Sequence, residues 1–223
     1  MKNKIFIAID TKSIKKADTI IETSKIKNLK IGYKFGLEFL NSKNGRNYIS
    51  KLKNKTIFVD LKLHDIPNTM SSTISSLKDL KINYLTVHIS SGIKALKEVK
   101  KVSGKIKIVG VTTLTSLDNR DLKSIGHKRS LEELIVIQSK LAKKAKLDAI
   151  VCSPHETKIV KKYFNKEIIT PGIRVTSKAF DQKRVMTPKA AFKQGSDWLV
   201  IGRDITKGNI KKNIKKLNDY LDQ

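Results

Sequence analysis

The chain has 223 residues, 39% of them hydrophobic and 30% charged, which suits one globular domain with a sizeable core and excludes a disordered chain. No stretch approaches the roughly 20 apolar residues of a membrane helix, and Cys152, the single cysteine, excludes an internal disulfide. The formal charge is +27, but the lysines are spread along the whole chain, so they read as filling solvated faces and not as a nucleic-acid-binding arm; the positive field would still draw in a polyanionic small substrate.

The N-terminus, Met1-Lys2-Asn3-Lys4, runs straight into a β-branched run with no small-residue cleavage site, so no signal peptide is expected and the chain reads as reduced and cytoplasmic. Short apolar runs predict strands at Ile5–Ile9, Leu29–Lys34, Thr56–Leu63, Tyr84–Ile89, Ile106–Leu114, Ala149–Ser153, Glu167–Ile173 and Trp198–Gly202. Several are near-continuously apolar, as parallel strands covered on both sides require. Helix-like segments lie between them. Pro67 suits the first turn of a helix after the third strand. Ser130 with Glu133 forms a capping box for a helix over Ser130–Lys146, and Leu131, Leu134, Ile135, Leu141, Ala142 and Ala145 line one face of it. Asn41–Lys55 leaves room only for a trimmed helix. Arg174–Pro188 is the longest irregular stretch, of a length that in a compact domain is usually functional or disordered. Ile205–Leu221 reads as a basic closing helix, with Ile210, Ile214, Leu217 and Leu221 at helical spacing.

Eight strand–helix units predict an α/β fold, a (β/α)8 TIM barrel, with residues 1–223 as a single domain. The alternative is an open doubly wound sheet. Its dinucleotide-binding form is disfavoured because no Gly-x-Gly-x-x-Gly turn follows the first strand.

In such a barrel, function sits where strands end and the following loops begin. The strand ends deliver Asp10, then Lys34, then Asp60, Lys62 and Asp65, then His88, and finally Gly202-Arg203. The third strand is the densest. Asp60 and Lys62 are two apart, so strand alternation puts both on one face and the flanking Val59 and Leu61 on the other. Charges at a barrel mouth are costly unless paired or used. A lone Asp-x-Lys could be a structural ion pair; the addition of Lys34 and Asp65 points to a working site. His64 carries no assigned chemistry, His88 reads as barrel-lining, and Cys152 reads as core. His127 and His155 have no partners at metal-ligand spacing, so no metal is expected.

The run Asp60-x-Lys62-x-x-Asp65-Ile66-x-x-Thr69 resembles the signature of the orotidine 5′-phosphate decarboxylase family. Five further segments resemble that family in order: Ala8-Ile9-Asp10, Leu29–Lys34, Leu114-Thr115-Ser116, Pro171-Gly172-Ile173-Arg174 followed by Asp181–Pro188, and Leu199–Arg203. The resemblance implies conversion of orotidine 5′-monophosphate to UMP and CO2 without metal or cofactor. Lys34, Asp60, Lys62 and a partner subunit's Asp65 would form an alternating charge array, with Lys62 protonating C6. Asp10 and Lys34 would touch the ribose, joined by Thr69 of the partner subunit and, beside it, the partner's Ile66. Thr115 would bond the pyrimidine edge. Gln182, Gly202 and Arg203 would grip the phosphate, with Arg174 nearby. The implied assembly is a homodimer with shared active sites. Related metal-dependent enzymes on the same scaffold carry an acidic residue near the end of the second strand, where this chain has Lys34. One departure stands out: Asp204 follows Gly202-Arg203 where family members often carry Pro, and a carboxylate beside a phosphate site is unfavourable unless it turns away or pairs with a Lys.

Overall fold

The computed structural model describes residues 2–175 and 185–222. In chain order the elements are β1 (Asn3–Ile9), α1 (Ile14–Thr23), β2 (Leu29–Gly36), α2 (Leu37–Leu40), α3 (Gly45–Lys51), β3 (Thr56–Leu63), α4 (Pro67–Ser76), β4 (Tyr84–His88), α5 (Gly92–Val102), β5 (Lys107–Val111), α6 (Asn119–Ser124), α7 (Leu131–Lys144), β6 (Ala149–Val151), α8 (Thr157–Tyr163), β7 (Glu167–Thr170), α9 (Pro188–Lys193), β8 (Trp198–Ile201), α10 (Arg203–Thr206) and α11 (Ile210–Asp222). The strands pair in sequence order and close into a barrel, with β8 returning to β1 in parallel. This is the expected (β/α)8 architecture. All eight expected strands form, though β5, β6 and β7 end earlier than their apolar runs.

Strand alternation builds two cores. On β1, Ile5, Ile7 and Ile9 face the helices and join the large outer core. Phe6 and Ala8 face inward, beside Phe58, Tyr84, Val109, Ala149, Ile169, Trp198 and Val200. Phe6 stacks on Trp198 with centroids 4.1 Å apart and meets Phe58 at 5.0 Å. Gly32 makes room for this: a Cβ there would lie 2.5 Å from the Phe6 ring, so a side chain would clash. Truncating Phe6 to Ala would cost about 3–5 kcal/mol. The aromatic plug fills the barrel interior and leaves the strand C-terminal ends to carry the site.

The helix signals behave as their chemistry requires. Pro67 opens α4 at its first turn. At α7, Ser130 Oγ accepts from the Glu133 N–H and the Glu133 carboxylate accepts from the Ser130 N–H. The expected closing helix is two helices: Gly208 takes φ +70 between α10 and α11, a conformation that ends a helix. The loop after β7 is pinched at its base, where Arg174 N–H donates to Met186 O at 3.0 Å and Met186 N–H to Gly172 O at 3.1 Å.

Candidate active site

Four charged side chains form an alternating row at the mouth. Lys34 Nζ, from β2, lies 3.6 Å from Asp10 just past β1 and 3.3 Å from Asp60 on β3. Lys62 Nζ lies 2.9 Å from the same Asp60 oxygen. Asp60 and Lys34 are each only 12% exposed at the side chain, whereas Lys62 is 37% exposed and Asp10 62%. The pair at the centre is therefore held tightly while Lys62 keeps its access to the cavity. Burial alone would raise the Asp60 pKa; the ammonium groups of Lys34 and Lys62 and the hydrogen bonds from Lys62 and Thr86 outweigh it and hold the carboxyl below its usual range. Asp60 is therefore an anion at neutral pH.

Simple alternation does not produce this arrangement. β3 pairs with β4 through Val59↔Leu85 and then Leu63↔Val87, so β3 spends more residues than β4 over the same rise, which is a bulge. Inside the bulge Lys62 adopts φ +50, a left-handed conformation that residues with a Cβ rarely take. The bulge re-aims Lys62, and the fully buried Thr86 bonds both members of the pair: its Oγ1 accepts from Lys62 N–H at 2.8 Å and donates to Asp60 Oδ1 at 3.0 Å. Sequence reasoning missed Thr86, because an uncharged residue inside an apolar run gives no signal.

The row borders a cavity of about 270 Å³. Ala8, Phe58 and Val200 of the inner core line it, so the plug is its floor. Asp10, Lys34, Asp60, Lys62, Thr115, Arg174, Gly202 and Arg203 line it as well. Eight of the twelve candidate residues thus converge on one place. Gln182 lies outside the described residues. Asp65, Ile66 and Thr69 do not reach this cavity. Ile66 is 65% exposed, Asp65 accepts from the Ile66 N–H at 2.7 Å, and both line an open outer recess with His64 and Ser90. Asp65 forms no ion pair among the described residues.

Asp204 turns away and pairs, but with an arginine. Its Oδ2 accepts from Val175 N–H at 2.8 Å and its Oδ1 lies 3.8 Å from Arg174 Nε. Asp10 is no helix cap; Ser13 caps α1. The His88 ring stands 5.2 Å from that of His64. Burial, then the charges of His64 and Lys62, push the His88 pKa down against the pull of Asp60, so the imidazole is neutral at pH 7. Cys152 is buried in the core, and desolvation pushes its thiol up, away from nucleophilic chemistry. Among the described residues, no group of three or more His, Cys, Asp and Glu could hold a metal ion.

Residues 3–216 match the model of the "Orotidine 5'-phosphate decarboxylase / HUMPS family". An orotidine 5′-phosphate decarboxylase of the Wolbachia of Brugia malayi is 42% identical over 221 residues, covering 96% of this chain and 97% of that protein. One from Prochlorococcus marinus is 43% identical, covering 92% and 91%. Among solved structures, the orotidine 5′-phosphate decarboxylase of Lactobacillus acidophilus superposes with a TM-score of 0.85 at 27% identity, with both chains fully covered. The Methanocaldococcus jannaschii enzyme, complexed with the inhibitor BMP, gives 0.79 at 26%, again with full coverage of both chains. A family match over almost the whole length, relatives of this identity and a charged barrel mouth agree: the chain belongs to the orotidine 5′-phosphate decarboxylase / HUMPS family.

Proposed function

We propose that this cavity decarboxylates orotidine 5′-monophosphate to UMP and CO2, with Lys62 as the proton donor and without metal or organic cofactor. The observation that carries the reading is the row Lys34–Asp60–Lys62, in which two ammonium groups flank one buried carboxylate. The chain is accordingly a carboxy-lyase, supported by the family match and by relatives of that name, and it serves the last step of UMP synthesis as a single cytoplasmic domain.

The chemistry follows from the charges. Breaking the bond from C6 to the carboxylate releases CO2 and leaves the electron pair on C6. A fixed ammonium stabilises that pair as it develops. Lys62 then gives C6 a proton and regains one from solvent. Asp60 keeps Lys62 aimed, and Lys34 holds Asp60. Asp10 and Lys34 suit the ribose hydroxyls and Thr115 the pyrimidine edge. Arg203 and Gly202, with Arg174 and Gln182, suit the phosphate, whose remote binding energy organises the site. A metal-dependent enediolate route would need a carboxylate at the second strand end; here the Lys34 ammonium stands 3.3 Å from Asp60, a cation already in place.

Asp65, Ile66 and Thr69 face outward, which supports a two-fold dimer in which each chain completes its neighbour's site. The test has two arms. Purified protein with chelator present should deplete the orotidine monophosphate absorbance; no depletion refutes the reaction. Lys62→Ala and Asp65→Ala chains, each inactive alone, are then mixed under conditions of subunit exchange. Half the dimers become hybrids with one intact site of two, so about a quarter of wild-type activity should return. No return, with exchange confirmed by a tag, refutes the shared site.

A further inference from the structure

Thr86 lies mid-strand on β4 and is fully buried, yet it does not border the cavity that would take substrate. A hydroxyl has one proton and two lone pairs, and Thr86 spends them in a fixed sense. It accepts from the Lys62 amide and gives its own proton to Asp60 Oδ1. The other Asp60 oxygen is committed to Lys34 and Lys62. Both carboxylate oxygens therefore have partners, and no rotation of the Asp60 group preserves them all.

The Lys62 amide needs this partner for a specific reason. The slip in pairing between Val59 and Leu63 removes Lys62 from the regular β3–β4 ladder, and its left-handed φ of +50 persists only where neighbours over-determine it. Thr86 supplies the hydrogen bond that the ladder no longer offers. One side chain thus ties the backbone of Lys62 to the carboxylate that receives its ammonium.

We propose that Thr86 is a positioning residue for decarboxylation, fixing the direction of the Lys62 ammonium through its backbone and through Asp60. The proposal rests on the reading of Lys62 as proton donor and adds a group that acts through it. A residue needed only for folding would lower stability and leave kcat intact in the folded fraction. A positioning residue lowers kcat and leaves KM alone, because it touches no part of the substrate.

The experiment compares wild type, Thr86→Val, Thr86→Ser and Thr86→Cys on orotidine monophosphate, with thermal melts to count folded protein. Thr86→Val replaces the hydroxyl by a methyl, leaving the Lys62 N–H unpaired and Asp60 without its neutral donor. We expect kcat to fall about 10- to 100-fold, as loss of a hydrogen bond to a charged group implies, with KM within about twofold. Thr86→Ser keeps the hydroxyl and should return kcat to within about threefold of wild type, with Thr86→Cys, a weak donor and acceptor, between the two. A folded Thr86→Val protein with wild-type kcat overturns the proposal, as does a Ser variant that falls as far as Val. If the Val variant does not fold, the Ser and Cys pair decides: a graded loss supports the role, and full kcat in Cys overturns it. A wild-type chain that does not consume orotidine monophosphate overturns the reading of Lys62 itself, and the role of Thr86 with it.

Discussion

Asp60→Asn removes one charge from the centre of the row and changes the side chain's shape hardly at all. Asp60 sits at 12% side-chain exposure between ammonium groups at 3.3 and 2.9 Å. At about 3 Å and an effective dielectric near 20, each attraction is worth about 5 kcal/mol before desolvation is subtracted. Removing one member of a buried pair costs about 3–5 kcal/mol, since the other charges stay behind uncompensated. The amide still offers Lys62 an oxygen, which favours the lower figure. For a domain of this size a loss of about 3 kcal/mol lowers Tm by roughly 6–12 °C. The pH dependence carries the sharper test. The folded pKa of Asp60 is depressed by Lys34, Lys62 and the Thr86 hydroxyl in spite of burial. A depressed carboxyl contributes stability that is present above its unfolded pKa, about 3.9, and is lost as the pH falls through the folded value. The variant has no such term. Melts of both proteins from neutral to acid pH should show the widest gap at neutrality and a narrowing gap below about pH 4. A gap that stays constant across that range, or none at neutral pH, refutes the account of Asp60 as a carboxylate held by two lysines.

Three further outcomes follow from the same geometry. Lys62→Ala should lower Tm by less than Asp60→Asn, because Lys62 is the more exposed lysine of the row and Asp60 keeps Lys34, yet lose decarboxylation altogether; measurable turnover by the folded variant removes Lys62 as the acid. Arg203→Ala should lower kcat/KM for the phosphorylated substrate by about 10- to 100-fold, with a substrate lacking the phosphate as the unaffected control. Asp204→Asn keeps an oxygen for the Val175 N–H but deletes the negative charge beside Arg174, so UMP should bind about two- to tenfold tighter by calorimetry; weaker binding would show that Asp204 orders the phosphate side instead of competing with it.

The barrel was legible because parallel strands buried on both faces cannot hide: Ile5–Ile9 and Trp198–Ile201 are apolar throughout, and Thr56–Leu63 is interrupted only at its start and by the charged pair Asp60 and Lys62. The same property misplaced the strand ends. Small or β-branched residues such as Thr112, Cys152 and Ile173 continue past Val111, Val151 and Thr170, where the ladder stops and the loops that border the cavity begin. Composition reports burial, and loop residues over a filled barrel are buried too. The closing helix was read as continuous because Gly208 is tolerated within helical periodicity, and only its φ of +70 shows that it breaks the chain into two helices.

The site was legible for a reason that proved incomplete. Asp60 and Lys62 were expected on one face by strand alternation. They do meet, but β3 has slipped against β4 by the time it reaches Leu63, and Lys62 is left-handed. Two-residue spacing on an unbroken ladder would direct both side chains along the same strand face as parallel neighbours. The bulge instead turns the Lys62 backbone so that its ammonium comes back to 2.9 Å from the Asp60 carboxylate. The motif therefore encodes the chemistry of the pair, while its geometry is written on β4, in a threonine 26 residues further along the chain than Asp60. A hydroxyl that satisfies one stranded amide and one buried carboxylate has no periodicity and no charge of its own to announce it. It becomes visible only when each buried donor and acceptor is assigned a partner, and that assignment requires the two strands side by side.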